Sequence, residues 1–165
     1  MHIDIEDFDQ ENHLDWNVVN DGVMGGLSRS RIELLGDGTA RFSGEVSLEN
    51  NGGFASTRAR LNKNLPSNIK SVAARVQGDG KRYSFRIRTA GQFSRVSYKM
   101  EFGTTTGKWE AHEFPLSEFI PTFRGRTLEG APSIEPADIQ EVGFLIADKQ
   151  KGPFTLLIDW IRAFS

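Results

Sequence analysis

Two short stretches gather the residue types best suited to holding another molecule. NDGVMGGLSRS, residues 20–30, sets Gly22, Gly25 and Gly26 around a bare Val23-Met24 pair, with Asp21 before it and Ser28 after it. Asn20 and Asp21 favour a turn, and the glycines permit positive φ and close backbone approach, so the stretch reads as a compact loop entering a strand at Leu27. It has a second reading as a contact surface, in which Val23 and Met24 adapt to an irregular partner and Asp21 and Ser28 form its polar edges. FRGR, residues 123–126, places Phe123, Arg124 and Arg126 around a glycine, and aromatic and arginine side chains are the usual anchors of protein interfaces.

Arginine also recurs where strands are expected. If residues 54–61, 83–89 and 95–102 are neighbours, their polar faces carry Arg58 and Arg60, Arg86 and Arg88, then Arg95 and Lys99. Such a face offers planar, bidentate recognition of carboxylate or phosphate. The same arginines can instead pair across strands with Glu45, Glu101 or Glu110 as an ordinary solvated surface.

Catalytic patterns are not found. His2, His13 and His112 lack the spacing that aims two imidazoles at one metal. GTTTGKW, residues 103–109, is one residue short of a phosphate loop and has Trp109 where a hydroxyl is needed, so it reads as a hairpin turn. Neither a nucleophile elbow nor a dinucleotide fingerprint is present. The acids Asp4, Glu6, Asp7, Asp9, Glu11 and Asp15, with Asp159 near the end, read as a solvated acidic strand, a structural Ca²⁺ site being the weaker alternative without an Asp-x-Asp loop. No cofactor is expected.

The elements that must carry these residues follow a period of two. RVSYKMEF puts Val96, Tyr98, Met100 and Phe102 on one face, and RYSFRIRT does so with Tyr83, Phe85 and Ile87. The run PFTLLIDWIRAF is apolar on both faces, which predicts a central strand covered on both sides, and Phe85, Phe102, Phe144 and Trp160 are expected to be buried. Turn signals at 36–38, 50–53, 78–80 and 106–107 separate about ten strands. Residues 115–119 and 136–141 suit a turn or two of helix, and residues 121–138 read as a long surface loop. The fold class is all-β, an antiparallel β-sandwich or jelly roll formed by residues 1–165 as one domain.

With 165 residues, 38% hydrophobic and 25% charged, the chain has the make-up of a folded globular protein. A net charge of −2 provides no global field for nucleic acid or an anionic bilayer. No apolar run approaches the roughly 18 residues that span a membrane. The absence of cysteine excludes disulfides and thiolate sites, and residues 1–5 run into acids without a basic or apolar leader, so the expected location is cytoplasmic.

The ordered series DWNVVNDGVMGGLS, NNGGFASTR, GDGKRYSFRIR, FIPTFRGR, VGFLIADKQKGPF and LLIDWIRAF resembles the complex I intermediate-associated protein family from Trp16 to Phe164. The resemblance implies a galactose-binding-domain-like jelly roll and a non-catalytic, chaperone-like protein-binding role in respiratory-chain assembly. The expected partners are respiratory-chain subunits or assembly intermediates. The long N-terminal targeting extension of the mitochondrial members is missing, which implies a stand-alone bacterial-type member. The alternative is a jelly-roll module for carbohydrate or a small anionic ligand, with Trp16, Trp109 and Tyr98 as sugar platforms.

Overall fold

The computed structural model describes residues 1–21, 26–49 and 53–165. Its strands are β1 (His2–Glu6), β2 (Trp16–Asn20), β3 (Arg29–Leu34), β4 (Ala40–Val46), β5 (Ala55–Arg60), β6 (Ser71–Gln77), β7 (Arg82–Thr89), β8 (Ser97–Gly103), β9 (Trp109–Pro115), β10 (Ile120–Phe123), β11 (Arg126–Thr127), β12 (Ile139–Ile146) and β13 (Gly152–Phe164). Short 3₁₀ turns at Leu116–Glu118 and Pro136–Asp138 occupy the two places where brief helix is expected.

The strands form two antiparallel sheets. The first runs β3-β4-β13-β6-β9, with β1 also on β13; the second runs β11-β10-β8-β7-β12-β5-β2. Each inner face is the apolar half of the alternation: Tyr83, Phe85 and Ile87 from β7, Tyr98 and Phe102 from β8, and Phe154, Leu156 and Ile158 from β13 are all buried. Phe85 lies between the sheets, stacked on Phe114 at 5.0 Å and edge-on to Phe144 at 5.3 Å between centroids. This is the all-β sandwich that the period of two implies.

Four expectations are corrected. The closing strand β13 is central, but only its inner face is covered. A bulge between Ile158 and Trp160 shifts its register by one residue, so Ile161 and Ala163 turn inward and Trp160 is half-exposed beneath the guanidinium of Arg162, 4.1 Å from the ring centroid. Residues 104–108 are not a hairpin, because β8 and β9 belong to different sheets. A turn signal marks a reversal and not its partner strand. Residues 121–138 are not one long loop: β10 and β11 form a hairpin, and Ile134 and Pro136 are buried beyond it.

The fourth concerns the acidic start. Glu6 is buried, accepting the N–H groups of Phe8 at 3.0 Å and Leu14 at 2.9 Å and the indole N–H of Trp16 at 2.6 Å. It ties the segment before β2 to the core, since a buried carboxylate must have donors. Asp4 and Asp159 are taken up by Arg162 at 3.1 Å and Arg75 at 2.7 Å.

Candidate functional site

Across the outer face of the second sheet runs a groove of about 690 Å³. Its floor is set by strand register. β12 lies between β7 and β5, so Glu141 stands opposite Arg88 and Arg60, and Gly143 opposite Arg86 and Arg58. The expected basic face is therefore present, but a strand that the sequence pattern did not insert divides it. A Cβ at Gly143 would meet the carbonyl oxygen of Thr57 at 2.4 Å and Cβ of Arg58 at 3.0 Å, so the middle of the floor has no side chain.

The flanking guanidiniums differ in their partners. Glu141 is shared by Arg58 at 3.3 Å and Arg88 at 3.9 Å. Arg86 is half-buried, and its Nε donates to Ser84 Oγ at 2.8 Å and its Nη1 to Ser97 Oγ at 3.3 Å. Among the described residues no carboxylate lies within 4.0 Å of it. Burial, then the like charge of Arg88, pulls the Arg86 guanidinium below its usual range, with Glu101 and Asp148 opposing. Burial and Arg58 do the same to Arg88, with Glu141 opposing.

The rim on one side is the β10–β11 hairpin. Phe123 pairs with Arg126 across a two-residue turn in which Arg124 (φ 51°) and Gly125 (φ 79°) are both left-handed. That is the turn whose twist suits adjoining antiparallel strands. The Arg124 guanidinium lies 5.3 Å from the Phe123 ring centroid, and both residues line the groove. Arg126 is exposed on β11 and is not part of the wall. The turn of Asp148 and Lys149 after β12 also lines the groove.

Arg58, Arg86, Phe123 and Arg124 thus meet at one groove. Asp21 reaches its edge, but its carboxylate turns inward to Ser28, Gly53 and Phe54, and both Asp21 and Ser28 are buried. They form an internal tie and not the polar edges of a contact loop. Gly26 belongs to the same tie: a Cβ there would overlap the Asp21 side chain at 2.3 Å. Val23 and Met24 lie outside the described residues, as does most of the turn at 50–53.

Glu141, Gly143 and Lys149 were missed by sequence reasoning. The one available signal was the isolated glycine in EVGFLI, which marks close backbone approach in a strand. The suggested sugar platforms lie elsewhere. Tyr98 is buried, Trp16 packs 5.7 Å from Phe8 between centroids, and Trp109 is on the other sheet under Arg75.

Comparison with known proteins agrees with both the fold and the family expectation. The family model for Complex I intermediate-associated protein 30 matches residues 6–158, and the chain belongs to that family. An uncharacterized protein of Schizosaccharomyces pombe is 29% identical over 170 residues, covering 90% of this chain and 77% of its own length. The proteins named Complex I intermediate-associated protein 30, mitochondrial, of Drosophila melanogaster and Mus musculus are each 28% identical, covering 94% and 96% of this chain. This chain spans only 60% and 55% of their lengths. Among solved structures, a family 11 carbohydrate-binding module of a Clostridium thermocellum cellulase superposes with a TM-score of 0.76 at 15% identity, covering 100% of this chain and 95% of that one. That likeness is one of fold.

The cytoplasmic expectation is overturned. The fly, mouse and Caenorhabditis elegans relatives are all named as mitochondrial, against that expectation. That expectation rested on the absence of cysteine and on the make-up of residues 1–5, neither of which specifies a location.

Proposed function

We propose that this chain is a single, non-catalytic binding domain that serves the assembly of respiratory complex I by engaging a protein partner along the rim of the groove. The observation that carries the reading is the β10–β11 hairpin, which holds an exposed Phe123 and the Arg124 guanidinium together on a rigid turn beside a basic floor. Aromatic and arginine side chains on a fixed scaffold supply contact area at low entropic cost. The names of the fly and mouse relatives supply the process. A non-catalytic reading is supported by the groove's hydroxyls: Ser56, Thr57 and Thr122 donate to the backbone carbonyls of Val19, Asn17 and Ser97, and Ser97 accepts from Arg86. None of these is paired with a base as an activated nucleophile would be.

The carbohydrate alternative has the support of the fold alone, and of the aromatic side chains named for it Tyr98 is buried, Trp16 is packed against Phe8 and Trp109 is on the other sheet. The experiment is affinity capture from detergent-solubilised mitochondria, scored for complex I subunits by mass spectrometry. The wild-type protein is expected to retain those subunits and the Phe123→Ala/Arg124→Ala variant to lose most of them while melting within a few degrees of the wild type. Equal capture by the two proteins, or capture without complex I subunits, rejects the reading.

A further inference from the structure

We infer that the groove over β5, β12 and β7 is a binding site for a small oxyanion-bearing molecule, a carboxylate or phosphate joined to a ring or other apolar body, with the anionic group on Arg86 above Gly143. The reasoning begins with charge. Among the described residues the groove is lined by six cationic side chains and three carboxylates. Of those three, Asp21 is committed to internal N–H and hydroxyl donors, Glu141 is already divided between Arg58 and Arg88, and Asp148 stands on the rim, acting on Arg86 through its charge without an ion-pair contact among the described residues. Glu101, beside the groove on β8, is engaged by Arg82 and Lys99. Arg86 is left with hydroxyl partners only.

A guanidinium carries five N–H donors in a fixed fork, and Ser84 and Ser97 accept from Nε and Nη1, leaving further donors unused. Holding a cation half out of water with no carboxylate in contact is unfavourable, and a bound oxyanion lowers that cost while matching the fork bidentately. The two serines stand on β7 and at the start of β8, so the fork is oriented by sheet and not by a loop. Gly143 keeps the floor between Arg86 and Arg58 at backbone level, with no side chain of its own standing above it.

Shape selects size. A groove of about 690 Å³ is in the range of small-ligand sites and too confined for a folded partner. Its walls include Leu48, Leu145 and the Phe123 ring, an apolar surface for the body of the ligand beside the charge. The Phe123-Arg124 pair then borders the ligand site, so its occupancy would be sensed at the surface assigned above to the protein partner.

Calorimetric titration of the isolated protein with phenyl phosphate, benzoate and phenol at fixed ionic strength tests this. At least one anion is expected to bind about tenfold or more tightly than phenol, and the stronger of the two identifies phosphate or carboxylate as the preferred group. Arg86→Met should abolish that preference. Arg86→Lys, which keeps the charge but not the fork, should weaken anion binding roughly tenfold and covers the case in which the methionine variant does not fold. Glu141→Gln should tighten binding severalfold by releasing Arg58 and Arg88. In amide spectra the shifts should centre on Gly143, Ser84 and Ser97. Binding no better than phenol overturns the inference, as does unchanged affinity in Arg86→Lys or Glu141→Gln. Binding confined to a glutamate-rich peptide also overturns it. Because no partner is present, these results are independent of the capture experiment.

Discussion

Asp21 holds Ser28 by both of its carboxylate oxygens, one accepting the Ser28 N–H at 2.9 Å and the other the Ser28 hydroxyl at 2.5 Å. The second oxygen also accepts the Gly53 N–H at 2.6 Å and the Phe54 N–H at 3.3 Å, so a single side chain ties together the segments leaving β2 and entering β3 and β5. Asp21→Ala should therefore destabilise the protein by about 3 kcal/mol, because it leaves several buried donors without an acceptor. Burial alone would raise the Asp21 pKa, but the Ser28 hydroxyl and the three backbone N–H groups outweigh it and hold the carboxyl below its usual value. The unfolded chain then takes up this proton first, so the tie contributes fully above about pH 4 and is lost as pH falls through the folded value. Urea midpoints between pH 5 and pH 2.5 should fall more steeply for the wild type than for Asp21→Asn. Parallel curves would reject the assignment.

Gly143→Ala should cost roughly 1–3 kcal/mol even though it adds one methyl group at a groove floor. The new Cβ meets backbone, the Thr57 carbonyl at 2.4 Å, which cannot rotate away as a side-chain tip could. Its relief requires β12 and β5 to part, which also moves Arg58. Thermal melting of the variant checks this, and an unchanged midpoint would show that the strands adjust freely.

Two aromatic truncations should separate the faces of the sandwich. Phe85 is buried against Phe114 and Phe144, and its replacement by Ala should cost about 3–5 kcal/mol. Trp160, displaced outward by the bulge, should cost well under half as much on replacement by Ala, since it is only partly buried and stacks under the Arg162 guanidinium. Chemical denaturation of both variants decides the matter, and equal losses would place Trp160 in the core.

His112 should make stability depend on pH in a separate window. Its Nε2 is buried and has no hydrogen-bond partner among the described residues, and its ring lies 4.9 Å from that of Phe102 between centroids. Burial lowers the His112 pKa, with Glu110 opposing in part. The neutral ring is thus favoured in the fold, and as pH falls below about 6.5 the unfolded chain protonates first. Stability is complete above that pH and declines on acidification toward the folded value. His112→Phe should flatten the decline between pH 7 and pH 5 in denaturant midpoints, and an identical slope would exclude the histidine as its source.

The alternation of side chains along each strand is local chemistry, and it was legible in the sequence. RYSFRIRT and RVSYKMEF placed their aromatic residues inward and their arginines and lysine outward, as found, because a pleated strand sends neighbours to opposite faces whatever it pairs with. FRGR likewise stood out by residue type before its hairpin was known. What no local pattern contains is which strands adjoin. Only tertiary pairing inserted β12 between β5 and β7, bringing Glu141 and Gly143 to arginines more than fifty positions away in sequence and converting a basic face into a groove whose floor is partly bare backbone. The same non-local packing admitted the bulge that turned Trp160 outward and turned Asp21 from a loop edge into an internal anchor. Alternation is imposed within a few residues of backbone, whereas neighbour order, bulges and buried polar ties follow from burying the whole set of apolar faces at once.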